Sequence, residues 1–436
     1  MSPVDDPPLL AAREGETMIG LIEALNYRCL RHVRRPLDRF HVLVGPNASG
    51  KTTFLDTVSF LGRLVSDGID AAVLDRTSNF QDLVWRRSGN SFELAVEAQI
   101  PEDMAAKLPE AKFDTIRYEI SIGIDASTTE TSILAERVVL KKALPENQVD
   151  RTLFPNEMPS PETILCRPGA TGTKTVVNKV SGGNDNFYSE VYEGTGKGWM
   201  PAFRLGPRKS ALANLPEDES RFPVSTWLKR LLCDGVQQIV LNSLLIRKAS
   251  PPGQVRGFKP DGSNLPWVID SLEKRDPDRF RDWIGHLQTA LPDLENIRTV
   301  EREDDKHRYL TICYRGGLEV PSWVASDGTL RLLALTLLAY LPDFRGVYLI
   351  EEPENGIHPR AVEAMFQSLS SVYDAQILLA THSPVILSVV DLDKVLCFAK
   401  TDAGATDIVL GSEHPALRDW RGETSLGVLF AGGVLG

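Results

Sequence analysis

Apolar residues fall into short runs with two different periods along the chain. IGLIEALNY (19–27) and FHVLVG (40–45) are apolar and β-branched, the pattern of buried strands. From 51 to 65 the period lengthens, with Phe54, Val58, Leu61 and Val65 recurring at i, i+4, i+7 and i+11 on one face of a helix. FELAVEAQI (92–100), IRYEISIGI (116–124) and SILAERVVL (132–140) then predict an antiparallel sheet beside the first strands. From about 142 to 224 Pro, Gly, Asn and Asp interrupt the pattern and leave only short strand-like islands, the mark of a loop-rich insertion.

Helical periods return at VSTWLKRLL (224–232) and PDRFRDWIGHLQTAL (277–291), followed by a strand-like pair at 297–303 and 308–315. The last third alternates helix 328–341, strand 346–350, helix 359–373, strand 376–380 and helix 383–390. Short, continuously apolar strands between helices point to a parallel sheet covered on both faces. The expected organisation is a flexible lead-in (1–16), an N-terminal half-domain (17–141), an insertion or docking subdomain (142–300) and a C-terminal half-domain (301–436). No repeat of 20 to 50 residues and no long heptad run is visible.

Composition narrows the class. A chain of 436 residues with 42% hydrophobic and 25% charged residues is that of an ordinary globular protein. A formal net charge of -11 argues against a surface that is basic throughout, so nucleic-acid binding would have to rest on local patches such as RHVRRP (31–36) and RLGPRKS (204–210), which read first as solvated surface or a phosphate-facing loop. The five cysteines are scattered without a C-x-x-C pair, which fits a reducing compartment and no structural zinc. The acidic, proline-rich first residues are unlike a signal peptide and no apolar run reaches membrane-spanning length, so a cytoplasmic protein with no membrane partner is expected.

Candidate chemistry begins between the second strand and the helix. Gly45, Pro46, Asn47, Ala48, Ser49, Gly50, Lys51 and Thr52 satisfy G-x-x-x-x-G-K-[ST] in the strand-to-helix context that the pattern requires. Glycines let successive backbone N–H groups converge on phosphates, and the helix N-terminus adds a favourable dipole. Lys51 would set a point charge against the β- and γ-phosphates, Thr52 would offer Mg²⁺ a hydroxyl, and Thr53 continues the turn. A nucleoside triphosphate, ATP with Mg²⁺, is the expected ligand.

The strand at 346–350 ends in Glu351 and Glu352, stopped by Pro353. If that strand runs parallel to 40–44, both carboxylates reach the edge where ligands of open α/β sheets bind. Glu351 would then hold Mg²⁺, and Glu352 would orient and polarise the attacking water. Asp is the more usual first acid of such a pair, and Glu351 is one methylene longer. LLATHSP (378–384) repeats the arrangement, placing His382 where it would bond the γ-phosphate or the water.

Together GPNASGKT, ASDGTLRLLAL (325–335), YLIEEPENGIHP (348–359) and LLATHSP resemble the motif series of ABC-type ATPases. The likeness is to the non-transporter branch of RecF, SMC heads and the overcoming-lysogenization-defect ATPases, and to the AAA_21 group common in anti-phage defence. The resemblance implies an α/β P-loop head with a mixed sheet, a parallel core plus an antiparallel β subdomain, carrying a large loop-rich and helical insertion. It implies that Ser326, Asp327 and Gly328 form the signature loop that closes on ATP held by a second subunit. By the same resemblance ENGIHP (354–359) is the loop at the dimer interface, Gln81 is the lid glutamine on the metal, and Arg28 approaches the nucleotide.

Two departures refine the expectation. SMC proteins insert a long coiled coil between lid and signature, whereas the intervening stretch here is broken by Pro and Gly and lacks heptads. Overcoming-lysogenization-defect nucleases continue into a Toprim domain, but 54 residues (436 - 382) follow His382, so a nuclease or toxin is expected on another chain. The expected function is an ATP-hydrolysing homodimer that sandwiches ATP and controls such an effector in anti-phage defence. A RecF-like DNA-repair ATPase is the alternative, a nucleotide-binding scaffold with negligible turnover a third, and a transporter subunit fits less well.

Overall fold

The computed structural model describes residues 18–108, 113–125, 128–143, 151–192, 202–255, 257–342, 344–417 and 426–433. The expected lead-in, 1–16, lies outside the described residues. The chain forms two compact units, one of Met1–Val236, Leu392–Arg421 and Leu435–Gly436, the other of Gln237–Asp391 and Gly422–Val434.

The first unit carries a seven-stranded antiparallel sheet in the order Leu30–Pro36, Ile19–Tyr27, Ser91–Gln99, Thr115–Ile124, Thr131–Lys141, Thr173–Val180, Asn186–Phe187. The alternating segments predicted for it are all present. The basic run 31–36 differs from the surface reading: it lies in the terminal strand, where Leu30 and Val33 are buried, Arg31, His32 and Arg35 half-buried and Arg34 exposed. Charges on an outer strand also discourage pairing with foreign strands. The strand Thr173–Val180 extends the sheet from within the loop-rich region.

A single guanidinium organises the sheet's polar interior. Arg117, 4% exposed, donates to Glu23 at 2.7 Å, Glu97 at 2.9 Å and Glu119 at 2.6 Å, and to the Ile164 carbonyl at 2.9 Å. Glu119 in turn accepts from the Cys166 amide, so an irregular segment of the insertion is fastened to the sheet through buried charge. Burial opposes the charge of Glu23, but His32 and Arg117 outweigh it and hold its pKa below the usual value.

In the same unit Phe40–Val44 pairs parallel with Val395–Lys400, which pairs antiparallel with Thr406–Leu410. The helix Lys51–Asp67 follows, burying Phe54, Val58, Leu61 and Val65 as its period predicts, each worth ~1.5–3 kcal/mol when fully buried. Phe54 meets Phe398 edge-on at 5.6 Å, while Phe60 of the same helix clusters with Tyr27 and Phe92.

The second unit pairs Gly346–Glu351 with Ala375–Ala380 in parallel, in a register that sets Glu351 opposite Ala380. Helices Asp327–Leu337 and Pro359–Ser370 accompany these strands, and helices Leu265–Arg275 and Pro277–Ala290 pack with a three-stranded antiparallel sheet of Leu294–Glu301, Arg308–Tyr314 and Leu318–Pro321. Trp283 is fully buried and donates to Thr336 at 3.0 Å, joining the helix Pro277–Ala290 to the helix Asp327–Leu337. The helix Leu265–Arg275 was not evident from periodicity, because it starts in a Gly, Pro and Asn-rich stretch that reads as loop.

Candidate functional site

The loop from Gly45 to Gly50 has the backbone of a phosphate cradle. Gly45 and Gly50 take φ of 150° and 108°, and Ala48 takes 62°. A Cβ on Gly45 would stand 2.2 Å from the Phe398 carbonyl oxygen, and one on Gly50 would stand 2.3 Å from Thr406 Oγ1. Glycine is therefore required at both positions on steric grounds. Pro46, Asn47 and Ala48 are exposed at the rim while Ser49 is buried beneath them. Lys51 is buried and donates to the Gly45 and Pro46 carbonyls at 2.7 and 3.0 Å, so its ammonium sits inside the loop. Thr52 and Thr53 open the helix, Thr52 exposed and Thr53 half-buried.

A strand remote in sequence supports this loop. Thr406 donates its hydroxyl to the Ser49 carbonyl at 2.8 Å and its amide to the Cys29 carbonyl at 2.9 Å. Arg28, with φ of 49°, donates its amide to the Leu83 carbonyl, and its guanidinium lies 3.5 Å from Asp56 on the helix after the loop. Asp56 also accepts from Tyr27 at 2.5 Å and from Arg76. Burial and the Asp56 carboxylate push the Tyr27 hydroxyl well above its ordinary pKa, which keeps it a donor. Gln81 stands in a short 3-10 turn, Phe80–Leu83, with Oε1 buried and accepting no hydrogen bond among the described residues, as suits a ligand atom.

In the second unit Glu351 ends its strand half-buried and accepts from Gln238 Nε2 at 3.2 Å. Glu352 is exposed and adopts φ of 47° with its amide donating to the Ala380 carbonyl at 2.8 Å. A left-handed non-glycine residue costs ~1–3 kcal/mol and persists where the surroundings enforce it, commonly at functional sites. Asn355 donates to Glu352 Oε2 at 2.5 Å. A cavity of about 390 Å³ opens beside the pair, lined also by Gln238, Arg331 and Leu335.

His382 is half-buried after the neighbouring strand, its ring centroid 6.2 Å from that of Phe430 and its amide donating to Glu354. Ser326 caps the helix Asp327–Leu337 by accepting from the Thr329 amide, and Asp327 pairs with Arg247 at 2.7 Å. Gly328 packs on the Gly356 carbonyl. Ser326 is thus the N-cap and Asp327 and Gly328 the first residues of that helix, with Gly328 against the 354–357 segment, which also bonds Glu352 and the His382 amide. Thr406, Gln238, Arg247, Glu354 and Asn355 were not singled out from sequence; the last two lie inside a motif that was, while the first three carry no local signal.

The glycine-only strand-to-helix loop with its buried lysine in one unit, and the strand ending in paired carboxylates in the other, are features of a P-loop ATPase head of the ABC type. The profile of the AAA_21 family, described as "AAA domain, putative AbiEii toxin, Type IV TA system", matches residues 40–388. The chain belongs to that family. Its fold is similar to the Smc head crystallised with the C-winged helix domain of ScpA, with a TM-score of 0.52, 14% identity, and 90% of this chain and 98% of that one covered. The Smc head with an extended coiled coil from Pyrococcus furiosus gives 0.47 at 13% identity over 90% and 96% of the two chains. The SMC head domain from Thermotoga maritima gives 0.43 at 10% identity over 90% and 99%. No curated protein matches the chain in sequence. No helix among the described residues is long and apolar enough to cross a membrane.

Proposed function

We propose that this protein binds and hydrolyses ATP, and that two copies enclose the nucleotide between phosphate loop and signature loop. The observation that carries the reading is the cradle itself, in which neither Gly45 nor Gly50 has room for a Cβ and Lys51 stands at the centre. Backbone N–H groups of the loop bind the phosphates and Lys51 neutralises them. Thr52, Glu351 and Gln81 are hard oxygen donors of the kind Mg²⁺ takes, and the metal when bound offsets phosphate charge. Glu352 polarises the attacking water, and His382 donates to the γ-phosphate or holds that water. Arg28 assists at the nucleotide.

Ser326, Asp327 and Gly328 would complete the site of the second copy. The exposed Trp323 and Val324, 50% and 67% accessible just ahead of them, support a covered surface there. The output of closure is control of a separately encoded effector, a nuclease or toxin in anti-phage defence; the toxin wording of the family description is what supports a toxin. The insertion serves as its docking surface and the site of action is the cytoplasm.

The test is the mass of Glu352→Gln with and without ATP and Mg²⁺. A doubling with ATP supports the sandwich, and an unchanged monomer mass removes it. Binding of duplex DNA that weakens steeply with salt would favour a repair ATPase of the RecF kind over effector control.

A further inference from the structure

The segment after Glu352 is a tight double turn. Asn355 donates its amide to the Glu352 carbonyl at 3.1 Å, and Ile357 donates to the Glu354 carbonyl at 2.9 Å. Gly356 takes φ of 79° between them. The turn fixes where the Glu354 side chain leaves the backbone, and that side chain runs to the neighbouring strand end. One carboxylate oxygen, Oε1, accepts from Thr381 Oγ1 at 2.6 Å and from the His382 amide at 3.0 Å. Thr381, fully buried, accepts from the Ser383 amide at 2.9 Å with the same hydroxyl, so its rotor is determined from both sides. Ser383 then caps the short helix that follows. Glu354 thus bonds both the Thr381 hydroxyl and the His382 amide.

The other oxygen, Oε2, is buried and makes no hydrogen bond among the described residues. Glu354 therefore spends its charge on the His382 loop alone. Bonds from neutral donors to a carboxylate are shorter and stronger than neutral pairs, which suits a group that must hold a backbone in one place. The same turn carries Asn355, which grips Glu352, so the two side chains with proposed roles in hydrolysis are held by adjacent residues of one turn.

The geometry points to Glu354 as a positioning residue that sets the backbone of Thr381 and His382 and so aims the His382 imidazole. It acts through His382, and the inference rests on the proposed role of that histidine. A displaced loop would leave ATP binding at the phosphate loop intact while misplacing the imidazole. The effect belongs in kcat and not in KM.

The experiment is a double-mutant cycle on ATP turnover by the purified full chain, using wild type, Glu354→Ala, Glu354→Gln, His382→Ala and the double alanine variant. His382→Ala and Glu354→Ala should each lower kcat by about 10-fold or more, with KM within about 2-fold of wild type. The double variant should be no slower than His382→Ala alone. Glu354→Gln, whose amide oxygen still accepts both bonds, should recover most of the turnover. If Glu354→Ala does not fold, Thr381→Val removes one of the two donors and should slow turnover in the wild-type background but not beside His382→Ala. Losses that multiply in the double variants, or a Glu354→Ala enzyme as fast as wild type beside a slow His382→Ala, overturn this inference and leave the role of His382 standing. A His382→Ala enzyme with wild-type kcat overturns the role of His382 and the inference with it.

Discussion

The carbonyl oxygen of Gly356 faces the α-carbon of Gly328 so closely that a Cβ on Gly328 would stand 2.1 Å from it. The obstacle is backbone, so no side-chain rotation relieves it. Gly328→Ala must displace either the start of the helix Asp327–Leu337 or the turn that carries Glu354 and Asn355. We expect a stability loss of ~1–3 kcal/mol, of the size seen for overpacking, together with slower ATP turnover and unchanged nucleotide affinity. Thermal melting and a nucleotide titration check both; a variant with wild-type melting and turnover removes the contact from the account.

Lys51 sets a positive side chain inside the cradle, where it bonds the Gly45 and Pro46 carbonyls. Lys51→Ala should lose most measurable ATP affinity while leaving the fold in place, because the carbonyls it leaves behind lie on a loop with an exposed rim. Isothermal titration decides this, and unchanged affinity would remove the phosphate-loop assignment.

Thr406 holds the Ser49 carbonyl from a strand 357 positions further along the chain. Thr406→Val keeps the shape and removes the donor, leaving a buried carbonyl unpaired at a cost of ~1–3 kcal/mol. Because that carbonyl belongs to the cradle, KM for ATP should rise while kcat stays near wild type. A variant with lowered melting temperature but unaltered KM would confine Thr406 to a structural role.

Glu23 links stability to pH. Its folded pKa lies below the usual value of 4.5, so its ion pairing stabilises the fold above that pH and the contribution is lost as pH falls through the lower, folded value. Buried Glu136 has the opposite sign: burial raises its pKa, and its contribution is present at low pH and lost as pH rises through the raised value. Comparing one variant with wild type isolates the first. Glu23→Gln should lose less stability than wild type between neutral pH and about pH 3.5 in urea unfolding. Parallel pH profiles would contradict the assignment. Arg117→Ala removes the shared partner of Glu23, Glu97 and Glu119, the last two of which keep Lys141 and Arg137, and should cost about 3–5 kcal/mol at neutral pH.

Local signals made much of this protein legible. The phosphate loop, its helix and the paired acids each occupy a few consecutive residues whose spacing carries the geometry, and strand segments with clean alternation appear where expected. Thr406 and Gln238 escaped notice because their partners are distant in sequence and neither residue type advertises a role. The run 31–36 misled because charge was weighed above the buried Leu30 and Val33 that make it a strand. Glu354 stood in plain view inside ENGIHP, yet its grip on Thr381 and the His382 amide joins residues 27 and 28 positions apart and leaves no local signal.

The central claim is that Glu352 makes this chain an ATPase and not a passive nucleotide binder. Steady-state phosphate release at saturating ATP and Mg²⁺, measured for wild type and for Glu352→Gln, tests it most directly. The account predicts a kcat lower by about 10²-fold or more in the variant, the usual worth of a positioned base, with ATP affinity retained. Equal turnover by the two proteins would contradict it.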